Sequence, residues 1–193
     1  MDDRPKVLAF AVSARADSCN RRLVEIAARG VERAGAVVAR LDLADLSLPI
    51  YDQEREEKDG FPEGALRLKE IMRQQDGFLF ASPEFNASIA APMKNAIDWA
   101  SRPLPGEGWK ACFAGKAAAI MSASPGSLGG LRGLVPLRAV LSSIQVLVIP
   151  EQLAVTHADR AFDENGALSD ADQPGRAEDL GARLVRLLNA LTT

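Results

Sequence analysis

The chain has 193 residues, 47% of them hydrophobic, which is enough for one globular domain, residues 1–193, that buries its core without staples. Its 23 basic and 26 acidic residues are interspersed and give a formal net charge of -3, so there is no basic stripe for a nucleic acid and the expected partners are small molecules or further copies of the chain. The two cysteines, Cys19 and Cys112, sit in no CxxC and near no histidine cluster; neither a disulfide framework nor a zinc site is indicated, and a reducing cytoplasm fits.

The charged start, Met1 to Lys6, runs straight into Val7 to Val12, an apolar stretch too short for a secretory leader or a membrane span. Unalternating apolar runs recur at Ala36 to Leu41, Gly77 to Ala81, Ala117 to Met121 and Val146 to Ile149, the pattern of parallel strands buried on both faces. Helical spacing fills the intervals: Leu23 to Ala34, Leu68 to Gln75, Ile89 to Ala100, Leu134 to Ile144 and Leu180 to Leu191. Asp52 to Gly60 reads as a charged connection, either solvated or a mobile rim. Pro103 to Gly115, with Trp109, reads as a loop long enough to cover a site or meet a neighbouring subunit, and Asp163 to Gly175 as a polar lead into the last helix.

Five alternations of strand and helix with right-handed crossovers predict an α/β three-layer sandwich around a five-stranded parallel sheet of order 2-1-3-4-5. In such sheets ligands sit beyond the carboxyl ends of the strands where the winding reverses, which directs attention to the loops after the first, third and fourth strands.

The first loop contains Ser13, Arg15, Ser18, Cys19 and Asn20 and opens a helix. Unpaired helix amides, two hydroxyls, an amide and a guanidinium converging there suit a terminal phosphate. The plain alternative is an N-cap by Ser18 with Arg15 in solvent. No Walker or GxGxxG pattern is present. The second loop, with Pro83, Glu84, Phe85, Asn86 and Ser88, offers main-chain groups for the edge of a flat ring and apolar surface for its face; alternatively it is a tight turn with Phe85 in the core. The third loop, Ser122 to Gly130, includes Ser124, Gly126 and Gly129, and glycine permits close backbone approach to a ring or sugar, or simply a flexible turn. Pro136 falls either inside the helix that follows or, were that helix to start near Val135, in its first turn.

With these loops the chain resembles the NADPH-dependent FMN reductase family, which includes bacterial quinone and chromate reductases and related azoreductases. The family's phosphate-loop pattern is met at Ser13, Arg15, Ser18 and Asn20, with Val12 where glycine is usual. Its proline-glutamate-tyrosine-asparagine loop matches Pro83 to Asn86, with Phe85 replacing tyrosine, and its lysine-asparagine-alanine-isoleucine-aspartate-tryptophan helix matches Lys94 to Trp99. The resemblance spans Lys6 to Gln152. It implies a flavodoxin-like sheet, one FMN per subunit, and assembly into homodimers or homotetramers. It also puts Arg102 and Glu151 where relatives carry charges at a subunit contact near the flavin, although both residue types are ordinarily solvated.

The expected chemistry is a two-step exchange in which NADPH passes hydride to flavin N5 and an oxidised acceptor then takes its place, with no catalytic acid or base. Main-chain donors from the second and third loops are expected to stabilise negative charge on the reduced ring. The lone His157 reads as structural or solvated, and Cys19 as a passive thiol. Arg15, Arg102 and Arg132 are available for a nucleotide's extra phosphate, and Asp52 to Gly60 with Trp109 are expected to shape acceptor choice. A flavodoxin-type electron carrier is the alternative, disfavoured by the weak net charge.

Overall fold

The computed structural model describes residues 3–12, 17–169 and 172–191. In chain order they form β1 (Lys6–Ala11), α1 (Cys19–Arg33), β2 (Val37–Arg40), a 3-10 turn (Leu43–Leu46), α2 (Gln53–Asp59), α3 (Glu63–Arg73) and β3 (Gly77–Ala81). A short hairpin of β4 (Glu84–Phe85) and β5 (Ser88–Ile89) precedes α4 (Ala91–Ser101). Then come β6 (Ala117–Ala123), α5 (Leu131–Ser143), β7 (Leu147–Val155) and α6 (Asp172–Leu191). The main sheet has five strands in the order β2-β1-β3-β6-β7, every neighbour parallel, which is the predicted 2-1-3-4-5 winding. No helix among the described residues is long and apolar enough to cross a membrane.

Side-chain alternation along the buried strands builds two separate cores. Val7, Ala9 and Ala11 of β1 face α1 and α6, whereas Leu8 and Phe10 face α3, α4 and α5. The second core is aromatic, with Phe10 and Phe80 ring centroids 4.6 Å apart and Phe78 stacked on Phe80 at 5.2 Å. The first is rich in alanine and lets α1 and α6 approach until their main chains touch. A methyl group at Gly30 would overlap the carbonyl of Glu178, and one at Gly181 would overlap that of Ala27.

Several local readings change. The last strand, expected to stop at Ile149, continues to Val155 through a bulge: Ala118 pairs with Val148 and Ile120 with Gln152, leaving Ile149 to Glu151 opposite Ala119 alone. Pro150 sits in that bulge, where its missing N–H costs no ladder bond. The Arg138 guanidinium from α5 donates to the carbonyls of Val148 (3.2 Å), Ile149 (2.7 Å) and Pro150 (3.4 Å) and to Gln152 Oε1 (3.0 Å). Pro136 lies inside α5, which begins at Leu131, so the start near Val135 is ruled out.

Asp52 to Gly60 is solvated, as read, with no buried residue, but it is ordered into the helix α2 between the caps Asp52 and Gly60. Asp52 caps α2 by accepting from the Arg55 amide at 3.1 Å, and Glu56 accepts from Tyr51 Oη (2.8 Å) and Arg102 Nε (2.9 Å). The stretch Pro103 to Gly115 joins the end of α4 to the start of β6, at the opposite end of the sheet from the strand carboxyl ends. Three lysines hold it there by satisfying helix C-terminal carbonyls. Lys69, 1% exposed, donates to Ala100 O (3.3 Å) and Arg102 O (2.6 Å) and pairs with Glu107 at 3.1 Å. Lys110 donates to Ser143 O at 2.8 Å, and Lys116 to Met72 O at 2.6 Å.

Candidate functional site

Beyond the carboxyl ends of β1, β3, β6 and β7 lies a cavity of about 630 Å³. The segment after β1 contributes Val12, Asp17, Ser18, Cys19, Asn20 and Arg22. Pro83, Glu84, Phe85, Ala90 and Pro92 come from the β3 side, Ala123, Ser124 and Pro125 from β6, and Ala158, Asp159 and Phe162 from the segment after β7. A site of this volume at a topological switch point is where such sheets take a nucleotide-sized ligand.

Of the residues expected to bind a cofactor, Ser18, Cys19, Asn20, Pro83, Glu84, Phe85 and Ser124 line this cavity. Ser13 and Arg15 lie outside the described residues. Ser18 occupies the N-cap position of α1 in extended conformation, but its side chain makes no cap bond. Thus Ser18 is the N-cap by position but not by a side-chain bond, and the residue, only 6% exposed, lines the cavity. The first turn of α1 carries no acidic side chain, which leaves the positive end of its dipole uncompensated from within the helix. Asn20 is a brace: Nδ2 donates to Ala123 O and Oδ1 accepts from Ala123 N, both at 2.9 Å, fixing the start of α1 to the end of β6. Cys19 Sγ donates to Ala158 O at 3.1 Å and ties in the segment after β7.

The second loop is a two-residue hairpin whose central residues Asn86 and Ala87 both have positive φ (50° and 61°), the geometry that matches strand twist. It turns Phe85 outward, 60% exposed at the cavity, so the alternative with Phe85 in the core is excluded. Ser88 lies on the returning strand. Glu84 reaches across to α5: Oε1 accepts from Arg132 Nε (2.7 Å) and Oε2 from the Arg132 amide (3.1 Å). That contact replaces a side-chain cap, because the N-cap of α5 is Gly130 in left-handed conformation (φ 88°).

Two glycines of the third loop, Gly129 and Gly130, serve packing between elements, whereas Gly126 faces open space. A methyl at Gly130 would overlap Ser122 Oγ, and one at Gly129 would press on the main chain of Ala154 to Thr156. Ser122 is fully buried and its hydroxyl has no partner among the described residues. Gly126 O accepts from the amides of Gly129 (3.1 Å) and His157 (3.4 Å), while the His157 side chain is exposed.

Other residues singled out in the sequence lie away from this cavity. Arg132 and Arg102 do not line the cavity: the first is paired with Glu84, and the second with Glu56, its guanidinium 5.7 Å from the Tyr51 ring. Glu151 pairs with Arg183 at 2.7 Å. Neither Asp52 to Gly60 nor Trp109 borders the cavity, so neither shapes its walls. Conversely, sequence reasoning missed Asp17, Arg22, Asp159 and Phe162. The signal for the last two was the fifth strand itself, whose carboxyl end opens on the same edge as the others. Arg22 lies two residues past Asn20, where the phosphate-loop pattern ends.

A parallel sheet wound 2-1-3-4-5, helices on both faces and a cavity over the switch point define a flavodoxin-like α/β protein. The flavoenzyme NAD(P)H:(acceptor) oxidoreductase FerB from Paracoccus denitrificans superposes with a TM-score of 0.80 at 26% identity, over 96% of this chain and 98% of that one. The family model for NADPH-dependent FMN reductases matches residues 5–160, and the chain belongs to that family; it is an oxidoreductase. It is 37% identical over 180 residues to "Probable NADPH:quinone oxidoreductase 2" of Oryza sativa subsp. japonica (91% of this chain, 84% of that protein). It is 38% identical over 172 residues to an NAD(P)H-dependent FMN reductase of Pseudomonas aeruginosa (88% of each).

Proposed function

We propose that this chain holds one FMN in the cavity and uses it to carry reducing equivalents from NAD(P)H to a small oxidised acceptor: a quinone, free flavin, chromate, an azo compound or a ferric chelate. When bound, FMN supplies the redox chemistry, accepting hydride at N5 and returning the electrons to the acceptor. The chain's own residues bind and orient. The open end of α1 with the Ser18 hydroxyl takes the phosphate, in company with Ser13 and Arg15. Pro83 and Phe85 present apolar surface to the ring, and main-chain groups of Glu84 to Asn86 and Ser122 to Gly129 meet its polar edge. Asn20, Cys19 and Glu84 keep the walls in register by their bonds to Ala123, Ala158 and Arg132. No acid or base side chain is required, and His157 takes no part.

The single observation that carries this reading is a cavity of about 630 Å³ with the uncapped opening of a helix on one wall and an outward-turned aromatic ring on another. The chain is read as one domain, working as a homodimer or homotetramer in the reducing cytoplasm, where Cys19 and Cys112 stay unpaired.

The test is spectroscopic. The purified chain is yellow, or becomes so on adding FMN; anaerobic NADPH bleaches it rapidly, and a panel of acceptors restores the colour at different rates. A chain that takes up no flavin overturns the proposal, and one that binds FMN but is not bleached is an electron carrier. Sedimentation velocity reads the assembly.

A further inference from the structure

We propose that Asp17 and Arg22 form a charge latch at the phosphate end of the cavity, in which the Asp17 carboxylate occupies Arg22 until the phosphate of a bound mononucleotide displaces it. This rests on the FMN reading and assigns two residues that the phosphate-loop pattern does not contain.

Both side chains line the cavity, on the same wall as Ser18, and they form an ion pair with each other. Asp17 immediately precedes the N-cap of α1 and Arg22 follows one turn into the helix. Asp17 therefore places an anion where the helix dipole attracts one, and does so beside Ser18, a residue 6% exposed that lines the cavity and whose hydroxyl makes no cap bond. The Ser18 hydroxyl and the carboxylate together mark a place built for a larger anion with more acceptor atoms.

Magnitudes decide which anion holds Arg22. The pair is open to solvent, with side-chain exposures of 36% for Arg22 and 73% for Asp17, and an exposed pair shifts an equilibrium by about fivefold at most. A phosphate monoester carries close to two charges and three acceptor oxygens, and makes charge-assisted bonds to a guanidinium, a hydroxyl and helix amides at once. The ester wins Arg22, and Asp17 turns to water. Affinity for the phosphorylated flavin is thus lowered by Asp17 and raised by Arg22, while a flavin without phosphate feels neither residue.

The test compares FMN with riboflavin, which lacks the phosphate, by fluorescence quenching on the full chain and on Arg22→Gln and Asp17→Asn. In Arg22→Gln the FMN dissociation constant rises about 10-fold or more and that of riboflavin stays within about twofold. In Asp17→Asn, FMN binds about two- to fivefold tighter, a gain that damage to the fold cannot produce. Equal losses for both flavins in Arg22→Gln, or no tightening in Asp17→Asn, overturn the latch and leave the FMN reading standing. An unsubstituted chain that binds FMN no better than riboflavin overturns both.

Discussion

At the scale of single residues, the arrangement depends on side chains that satisfy main-chain groups where the ladder is interrupted. Asn20 answers both the N–H and the C=O of Ala123 from a position 4% exposed. Asn20→Ala leaves both groups buried and unpaired, so it is expected to cost about 2 kcal/mol or more in urea unfolding, and Asn20→Asp, which keeps only the acceptor, to fall between. Arg138 plays the same part at the β7 bulge, where three carbonyls and a side-chain amide oxygen converge on one planar fork. Arg138→Ala is expected to cost about 1–3 kcal/mol, and Arg138→Lys to recover only part of it, because an ammonium cannot span that set. Neither role shows in a sequence: an asparagine in a phosphate-loop pattern reads as a ligand, and an arginine at helical spacing reads as solvated.

At the scale of elements, the two loops proposed to cradle a ring are joined to each other before any ligand arrives. Glu84, on the hairpin, caps α5 through the amide and guanidinium of Arg132. Truncation by Glu84→Ala removes a helix cap worth about 1 kcal/mol, a small change in global stability. It is expected to weaken FMN binding more than that, since both walls lose their mutual register; paired flavin titration and thermal melts separate the two effects. Opposite the cavity, Lys69, Lys110 and Lys116 take the C-terminal carbonyls of α4, α5 and α3. Burial alone would raise the carboxyl of Glu107, but the Leu104 amide, Lys69 and Arg73 outweigh it and hold the group below the usual carboxylate range. A folded value below the unfolded one adds stability that is present above the ordinary glutamate pKa, about 4.3, and disappears as the pH falls through the depressed value. Unfolding midpoints measured from neutral pH down into that window are expected to fall more steeply for the natural chain than for Glu107→Gln. Burial pushes the Cys112 thiol up and the Lys116 ammonium down in the same region.

At the scale of the whole molecule, the winding order was legible because unalternating strands such as Val7 to Val12 and Gly77 to Ala81 can only be buried on both faces. The cavity's place followed from that order. Less legible was whatever depended on a tertiary partner: the continuation of β7 past Pro150 needs Arg138, and α2 is held by Glu56 meeting Tyr51 and Arg102. The serine- and glycine-rich third loop drew attention for ligand contact, yet Gly129 and Gly130 are required first by the main chain and by Ser122 beneath them. Because the cavity is proposed to be completed by its cofactor, FMN at about 100 times its dissociation constant is expected to add about 2.7 kcal/mol, a rise of roughly 5–10 °C in Tm by differential scanning.

The mutual notch of Gly30 and Gly181 bears on how the chain is made. The segment that carries Gly181 lies beyond residue 160, where the family match ends, yet Ala177, Leu180, Leu184, Val185 and Leu188 of α6 are buried in the α1 side of the core. A ribosome makes that helix after all five strands, so α1 alone covers that face of the sheet until α6 emerges. A nascent chain arrested before α6 emerges has to be shielded from aggregation by something other than itself.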